Sequence, residues 1–367
     1  MDIVVTSAQN NAYKEKIKVV VGSDECPDVF FSWAGEFSER FIRAGLLMDI
    51  SDEFYNDEEW SSSLLLSQVN EYRDGDVLYG LPFRLDAKMF FYNIDIFNEL
   101  GLEVPETWDE FIQVCETLKQ NGITPIAYGN QDQWPSSHYI GSINQMVVNN
   151  ETRLKDLEPS TGEFTDPNYV LALDYYQQLI PYFNDSPNAY SHDMARNIFS
   201  QENAAMIYAE LVEIPYIKEE NPDLNYGMFG FPLIEGEGDP TLLTGSPEGF
   251  VISANTKYPE EAIDFLKYLT GPEVGKQEVQ EVGWFNAGKG IVDGLEDQKL
   301  LEAYEILEGA EKMAGWFDSS LYSTVCNEYL IVTSVLTNGE MTPEEAMSKI
   351  QKVAQEAQTL VQDTEDN

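Results

Sequence analysis

The chain has 367 residues, which is room for about two domains that each bury a core of their own. Apolar residues make up 43% of the sequence and charged residues 23%, values of an ordinary globular protein that exclude a disordered chain. The 65 acidic residues against 21 basic ones give a net charge of −44, which argues against nucleic acids and anionic lipid surfaces as partners.

Short apolar runs alternate with helical patterns as far as about residue 255, and the rest of the chain is mostly helical. Strands are predicted at residues 3–5, 27–31, 77–79, 89–92, 126–128, 204–208 and 250–253. Helices are predicted at residues 10–18, from about residue 36, and at 108–121, 169–179, 259–269 and 343–360. Because strand, turn and helix follow one another, this order predicts parallel strands joined by right-handed crossovers.

Two of these helices begin at a capping box, in which an N-cap threonine and a glutamate three residues later satisfy backbone N–H groups reciprocally. The two pairs are Thr107 with Glu110 and Thr342 with Glu345. Gly122 supplies the C-terminal stop of the first helix. The second box leads an apolar stripe with a 4-3-4-3 spacing, which is typical of a helix that packs one face against a core.

The cysteines and histidines give no support for a metal centre or a thiol enzyme. Cys26, Cys115 and Cys326 are widely spaced and form no Cys-x-x-Cys motif, so we expect free thiols. Cys115 lies on the apolar stripe of a predicted helix and is expected to be buried. His138 and His192 show no metal-ligand spacing. We therefore predict no metal, no cofactor and no Cys/His catalytic site.

Nine short motifs occur in an order that resembles the carbohydrate-type (family 1) extracellular solute-binding proteins of bacterial ABC importers. They are PDVFFSW at 27–33, YGLPFR at 79–84, FFYN at 90–93, VPETWDEF at 104–111, PIAYG at 125–129, NAAM at 203–206, FVIS at 250–253, EAIDFL at 261–266 and NGEMTPEEA at 338–346. Each motif alone is a weak signal. Their shared order from about residue 13 to residue 357 is a strong one.

The resemblance implies a periplasmic-binding-protein-like α/β fold with two lobes joined by crossover hinges. By analogy, lobe one holds residues 1–85 plus 250–302, and lobe two holds residues 86–249 plus 303–367. Members of the family bind a sugar or oligosaccharide in the cleft between the lobes and deliver it to the permease subunits of an ABC importer. The expected protein is therefore a monomeric binder and not an enzyme.

The resemblance also implies a lipoprotein on the surface of a Gram-positive cell. Family members normally begin with a signal peptide, a lipid-attachment cysteine, a first strand and a first helix. This sequence shows none of the four before Asp2, and it has no run of ~20 apolar residues that could span a bilayer. We expect a truncated start, because a lobe that lacks a central strand would expose an unpaired sheet edge.

A sugar needs flat aromatic rings for its C–H faces and carboxylate, amide or guanidinium groups for its hydroxyls. In open α/β sheets such groups lie on loops that follow strands. Several loops of this sequence combine a tryptophan with acids or amides. The prediction of a sugar site rests on the occurrence of several such loops, since a single one would mean little. The predicted ligand-binding residues are Trp33, Glu36, Arg84, Asp86, Asn130, Asp132, Trp134, Glu210, Glu248, Trp284, Asn286, Trp316 and Asp318.

Two other functions stay open. The same clamp could bind a polyamine or a metal ion, since 20 tyrosines and 65 acidic residues could build a cation site. A glycoside hydrolase also uses paired carboxylates and tryptophans, but the order of motifs does not suit one. No catalytic residue is predicted, and the sequence does not indicate which sugar, chain length or linkage would be bound.

Overall fold

The computed structural model describes residues 3–8, 10–23, 25–310 and 312–365. The chain forms two compact units: unit 1 is Met1–Asp86 with Ser246–Gly309, and unit 2 is Ala87–Gly245 with Ala310–Asn367. The chain thus passes from one unit to the other three times. The resemblance placed these passages one, four and seven residues away, after residues 85, 249 and 302. Among the described residues, no helix is long and apolar enough to cross a bilayer.

The helices and strands, numbered along the chain, are as follows. The α-helices are α1 (Asn10–Val20), α2 (Glu36–Arg43), α3 (Ser51–Tyr55), α4 (Glu58–Ser63), α5 (Leu66–Val69), α6 (Ile94–Leu100), α7 (Trp108–Gln120), α8 (Trp134–Val147), α9 (Asn150–Leu157), α10 (Asn168–Leu179), α11 (His192–Ser200), α12 (Ile214–Glu220), α13 (Pro259–Thr270), α14 (Pro272–Glu281), α15 (Gln298–Gly309), α16 (Phe317–Ser320), α17 (Ser323–Thr337) and α18 (Pro343–Glu365). The strands are β1 (Val29–Trp33), β2 (Arg73–Asp74), β3 (Val77–Leu78), β4 (Gly80–Arg84), β5 (Lys88–Asn93), β6 (Thr124–Ala127), β7 (Ala204–Glu210), β8 (Tyr226–Phe229), β9 (Leu243–Thr244), β10 (Glu248–Ile252) and β11 (Met313–Ala314).

Unit 1 is built on a three-stranded sheet with the order β1-β10-β4. Both pairings are antiparallel, so the prediction of parallel strands is wrong for this unit. The reason is that the neighbour of β1 is β10, which returns from the late part of the chain and runs in the opposite direction. The core beneath the sheet is apolar and includes Phe30, Phe54, Trp60, Leu81 and Val251.

The predicted strand at residues 3–5 is also wrong. Residues 3–8 form no strand, and Ile3, Val4 and Val5 are 53%, 91% and 83% exposed. A β-branched run becomes a strand only when a neighbouring edge accepts its backbone hydrogen bonds. No described residue pairs with this segment.

Unit 2 contains a four-stranded sheet with the order β6-β7-β5-β8. Only the pair β6–β7 in this sheet is parallel, and β5 pairs antiparallel with both β7 and β8. All seven residues of β7 are buried, as the apolar run at residues 204–208 predicted. Helices α7, α8, α10, α17 and α18 supply the apolar residues that pack with the sheet into one core.

The predicted capping boxes are both present. Thr107 and Glu110 bond each other's backbone N–H groups at the start of α7, and Thr342 and Glu345 do the same before α18. Gly122 lies just beyond α7 with a φ of +76°, a conformation that glycine adopts without strain. Local sequence signals therefore determined where these helices begin and end. Cys26, Cys115 and Cys326 all lie in the described part of the chain and form no disulfide there, and Cys115 is buried as predicted.

Candidate functional site

A buried ion pair at the ends of β5 and β7 is the centre of a polar cluster in unit 2. Lys88 begins β5, Glu210 ends β7, and the antiparallel register places them directly opposite each other. The Lys88 Nζ lies 2.9 Å from Glu210 Oε1, and the lysine side chain has no exposed surface. Strand pairing alone therefore brings the two charges together. The Glu210 cluster, as we call it, consists of Lys88, Trp134, His138, His192, Glu210, Glu213, Trp316 and Asp318.

Two histidines from different helices contact the same carboxylate. His138, in α8, places Nδ1 3.3 Å from Glu210 Oε1, and its Nε2 lies 3.6 Å from Asp318 Oδ1. His192, the first residue of α11, places Nε2 3.4 Å from Glu210 Oε2 and 3.0 Å from Glu213 Oε1. All of these side chains are at least nine-tenths buried. The Glu210 carboxylate is thus surrounded by three basic groups.

These basic groups decide the ionisation of the two glutamates. Burial raises the pKa of Glu210, but Lys88 and the two histidines outweigh burial and hold that pKa well below its usual range. Burial likewise raises the pKa of Glu213, and a hydrogen bond from His192 with the charge of Arg196 brings it below its usual value. The Arg196 Nη1 lies 2.7 Å from Glu213 Oε2. Both carboxylates are therefore ionised at neutral pH.

Two tryptophans pack directly on the histidine rings. The Trp316 ring is stacked on His138 at a centroid distance of 4.7 Å and an interplanar angle of 20°. Trp134 begins α8 and lies 5.0 Å from the His138 ring and 4.7 Å from the His192 ring. The Lys88 Nζ lies over the Trp134 ring at 5.1 Å, within cation–π range. Unit 2 thus combines two indole rings with carboxylates and basic groups, as a sugar site requires.

A second set of polar and aromatic residues lies at one end of the unit 1 sheet. Trp33 ends β1, Glu248 begins β10 and Arg84 ends β4, and these three residues are register neighbours across the sheet. Trp33 Nε1 donates to Glu248 Oε1 at 3.1 Å, and Arg84 Nε donates to Glu248 Oε2 at 2.9 Å. The Arg84 guanidinium lies over the Trp284 ring at 4.7 Å. Four predicted residues are therefore joined by direct contacts.

The indole N–H groups separate the tryptophans into two kinds. Those of Trp134, Trp284 and Trp316 are buried and have no hydrogen-bond partner among the residues that the structure describes. The other three tryptophans each donate to a protein acceptor at 3.0–3.4 Å. A buried donor without a partner costs about 1–3 kcal/mol, so a bound acceptor at any of the three would be favoured.

The sequence profile of the family described as "Bacterial extracellular solute-binding protein" matches residues 2–276, three quarters of the chain. The chain belongs to this family. It is 28% identical to the multiple sugar-binding protein of Streptococcus mutans over 272 residues, which cover 69% of this chain and 61% of that relative. The matched region spans less than two thirds of the curated relatives' own length, 61% and 59% for two of them.

Solved structures extend the similarity of this solute-binding protein to nearly the whole chain. A structure from work on xylan utilisation by the thermophilic bacterium Caldanaerobius polysaccharolyticus has a TM-score of 0.85 and 27% identity, and covers 95% of this chain and 91% of its own. A chitin oligosaccharide binding protein also reaches a TM-score of 0.85, at 24% identity, with 94% of this chain and 87% of its own covered. The predicted periplasmic-binding-protein-like α/β fold and the family are thereby confirmed.

Some of the residues predicted to bind a ligand form ion pairs or hydrogen bonds with other parts of the protein. Glu36 forms a two-point ion pair with Arg43 at 2.6 and 2.9 Å, so its oxygens are already engaged. Asn286 is fully buried, and its side chain bonds the backbone of three residues in its own surroundings. These bonds hold the loop together, and a contact between Asn286 and a ligand stays a prediction. An amide bonds backbone groups as well as hydroxyls.

Three further predicted ligand-binding residues belong neither to the Glu210 cluster nor to the contacts around Glu248 in unit 1. Asn130 donates to Asn188 Oδ1 at 2.8 Å, which ties its loop to the segment before α11. Asp132 accepts from the His192 backbone N–H at 3.4 Å and so lies next to the Glu210 cluster. Asp86 is 1% exposed and is the last residue of unit 1.

The unit that contains Glu248 also differs from the expectation. Glu248 was expected in lobe two, but it lies in unit 1 because it begins β10.

Sequence reasoning missed Lys88, His192, Glu213 and Glu278. A lysine at the start of an apolar strand was the available signal for Lys88, since a buried lysine requires a carboxylate partner. For the two histidines the sequence offers only their spacing, and neither His138 nor His192 has the spacing of a metal ligand. Glu213 follows Glu210 by three residues, and that spacing alone does not distinguish two surface acids from a buried pair.

Three side chains of the Glu210 cluster have the donor types of a metal site. His192 Nε2 and one oxygen each of Glu210 and Glu213 lie within 4.8 Å of one another. The two carboxylates are, however, already neutralised by Lys88 and Arg196, at 2.9 and 2.7 Å. The charge balance therefore does not call for a divalent cation here.

Glu278 in α14 gives a pH-dependent prediction for unit 1. Burial raises its pKa to about 8 although the charge of Arg84 opposes the shift. The folded pKa lies above the unfolded value of ~4.3, so this group's contribution to stability is greatest below that value and is lost as pH rises towards 8. We expect Glu278→Gln to gain stability relative to the wild type on going from pH 5 to pH 9.

Urea denaturation of both proteins at the two pH values measures this effect, because the difference between them removes the titration of every other group. A difference in free energy of unfolding that stays constant with pH would show that Glu278 ionises as a solvated carboxyl.

Proposed function

We propose that this solute-binding protein binds a sugar or short oligosaccharide outside the cell and delivers it to the permease of an ABC importer, without catalysing a reaction. The observation that carries the proposal is the set of three buried indole N–H groups without a partner among the described residues, those of Trp134, Trp284 and Trp316. Trp134 lies beside Lys88, Trp284 beside Arg84 and Trp316 beside His138. A sugar supplies acceptors for such N–H groups and apolar faces for the rings.

The names of similar proteins support the same class of ligand. The Streptococcus mutans relative is named for multiple sugars, and the structure at 27% identity comes from work on xylan utilisation. We therefore propose residues of both sets as ligand contacts: Trp33, Arg84, Glu248 and Trp284 in unit 1, and Asp132, Trp134, Glu210, Trp316 and Asp318 in unit 2. Ligand binding in a cleft, which the family resemblance implies, stays a prediction.

The membrane context is part of the proposal. The family is extracellular by its description, and we propose attachment as a lipoprotein to a Gram-positive cell. The net charge of −44 supports a protein that stays monomeric and soluble between binding events. The permease subunits would be its protein partner.

A thermal-shift screen tests the function. The panel contains xylotriose, chitotriose, raffinose, a monosaccharide set, spermidine and zinc chloride. A true ligand at 100 times its Kd stabilises the folded state by about 2.7 kcal/mol, and we expect at least one oligosaccharide to raise the Tm accordingly. The second measurement tests for turnover. We expect chromatography to show that the sugar is unchanged after overnight incubation with the protein.

Each other outcome has a distinct meaning. A shift with spermidine or zinc and none with any sugar would replace the sugar by a cation, and the appearance of shorter sugars would reveal an enzyme.

A further inference from the structure

We propose that Gln133 is a positioning residue for the sugar contacts of unit 2: the strained turn centred on it fixes the direction in which Trp134 leaves its loop, and so presents the indole ring and its N–H to the ligand. The inference rests on the proposed function, since Trp134 is one of the proposed ligand contacts. Gln133 itself is not among the residues predicted to bind a ligand.

The backbone at Gln133 has a conformation that residues with a side chain rarely adopt. Its φ is +64° and its ψ is −35°. The Trp134 N–H donates to the Asp132 carbonyl oxygen at 2.8 Å, so these three residues close a γ-turn. The form of this turn with a positive φ at its central residue is rare and strained. A glutamine at this position therefore lowers the stability of the fold.

The surrounding backbone holds the strained turn in place. The Asn130 N–H donates to the Pro187 carbonyl oxygen at 2.9 Å. One residue earlier, a Cβ atom on Gly129 would collide with the Ser191 carbonyl oxygen, so the loop packs backbone to backbone against the segment before α11. A strained residue persists only where the structure around it leaves no alternative, and these contacts supply that constraint at Gln133.

The same turn determines where the Trp134 ring lies. The Gln133 carbonyl oxygen accepts from the Ser136 backbone N–H at 3.2 Å and from its hydroxyl at 2.7 Å, so the first turn of α8 is anchored on the strained residue. Trp134, which begins α8, then places its ring 5.0 Å from the His138 ring and 4.7 Å from the His192 ring. An ordinary negative φ at Gln133 would rotate the chain that follows and turn the indole away from these contacts.

The position of this turn distinguishes it from the other strained residues of the fold. Among the described residues, Phe164, Ser186 and Glu202 also have a positive φ and a side chain, but none is next in sequence to a predicted ligand contact. Ser186, with φ +54° and ψ +50°, lies in the left-handed region that side chains tolerate, and Gln133 lies outside it.

Strain and an unpartnered hydrogen-bond donor occur here in consecutive residues. The N–H of the Trp134 ring is buried and has no partner in the part of the chain that the structure describes. Both features lower stability, and such costs are retained where function requires a fixed geometry. The turn therefore prepares the indole for its ligand before the ligand arrives, which reduces the ordering that binding requires.

The first experiment needs no sugar and compares Gln133→Gly and Gln133→Val with the wild type. Glycine adopts a positive φ without strain, whereas β-branched valine adopts it least readily. Selective ¹⁵N labelling of tryptophan gives indole N–H signals for the six tryptophans, and Trp134→Phe assigns the relevant one. We expect this signal to stay in place in the glycine variant, which should be at least as stable as the wild type, and to move in the valine variant.

Two results of this experiment would overturn the proposal whether or not a sugar binds. An unmoved Trp134 signal in Gln133→Val would show that the turn does not set the ring. A moved signal in Gln133→Gly would show that the glutamine side chain holds the ring. Gln133→Thr is also β-branched and takes the place of the valine variant if that protein does not fold.

Glu202 and Ser334 offer matched controls. Glu202 has a φ of +60° and lies before β7, at the opposite end of that strand from Glu210, so Glu202→Val should lower the Tm and leave the Trp134 signal in place. The Gln133 Nε2 lies 3.5 Å from the Ser334 hydroxyl, and Ser334→Ala removes this contact without changing the turn. A movement of the Trp134 signal in either control equal to that in Gln133→Val would contradict the role of the turn.

The second experiment measures the affinity for xylotriose, chitotriose and raffinose by calorimetry. Gln133→Gly should bind within about twofold of the wild type, and Gln133→Val should bind about tenfold more weakly, which corresponds to about 1.4 kcal/mol. Equal affinities of the valine variant and the wild type would overturn the proposal. If the wild type binds none of the three sugars, then the proposed function loses its support, while the Trp134 signal still decides whether the turn positions the ring.

Discussion

Replacement of Trp134 by alanine is expected to weaken the binding of sugar by at least about thirtyfold, or about 2 kcal/mol, without unfolding unit 2. The ring is half-buried, packs on both histidines and carries a buried N–H that has no partner among the described residues. Its loss removes a stacking face and a hydrogen-bond donor at once. Titration calorimetry with the best sugar of the thermal-shift panel measures the change.

Trp108 offers the matched control for this variant. It lies in the core of the same unit, and its Nε1 donates to Gln178 at 3.0 Å. Trp108→Phe should lower the Tm and leave the affinity for sugar unchanged. A Trp134→Ala protein that binds as tightly as the wild type would remove the unit 2 cluster from the proposed site.

Replacement of Lys88 by methionine is expected to cost about 3–5 kcal/mol of stability, the usual penalty for breaking a buried ion pair from one side. The lysine side chain has no exposed surface, and its removal deprives a buried carboxylate of its nearest cation. The double variant Lys88→Met/Glu210→Gln should lose less than the two single variants together, because no charge is left unpaired. Urea denaturation of the three variants measures the coupling.

An exposed ion pair in the same unit calibrates this result. Lys155 and Glu163 are 3.4 Å apart with about half of each side chain exposed, and Lys155→Met should change stability by about 0–1 kcal/mol. If Lys88→Met costs no more stability than Lys155→Met, then the Glu210 cluster is solvated and not preorganised.

Glu210 also makes stability depend on acid pH. The pKa of Glu210 in the folded protein is depressed, so its contribution to the free energy of unfolding is present above the unfolded pKa of ~4.3. That contribution is lost as pH falls through the pKa of the folded state.

The sequence by itself determined the elements whose signals are local. The capping box at Thr107 and the apolar run of β7 depend on residues within a few positions of each other. The family could also be identified from the sequence, because the order of short motifs is a property of the chain and does not depend on which residues are in contact. Trp134, Glu210 and Trp316 were also proposed from the sequence, since each stands at or beside the end of a helix or strand, in a stretch that mixes aromatic and polar residues.

Only the tertiary structure decided which of these residues meet. Glu248 lies beside Trp33, 215 positions away in sequence, because β10 enters the sheet next to β1 and runs against it. Lys88 faces Glu210 because of one strand register, and a slip of one residue would have turned either side chain to the other face of the sheet. Glu36 and Asn286 have the right chemistry for a sugar but bind other parts of the protein. The pairing of segments that are distant in sequence depends on how the whole core packs, so no local sequence pattern encodes it.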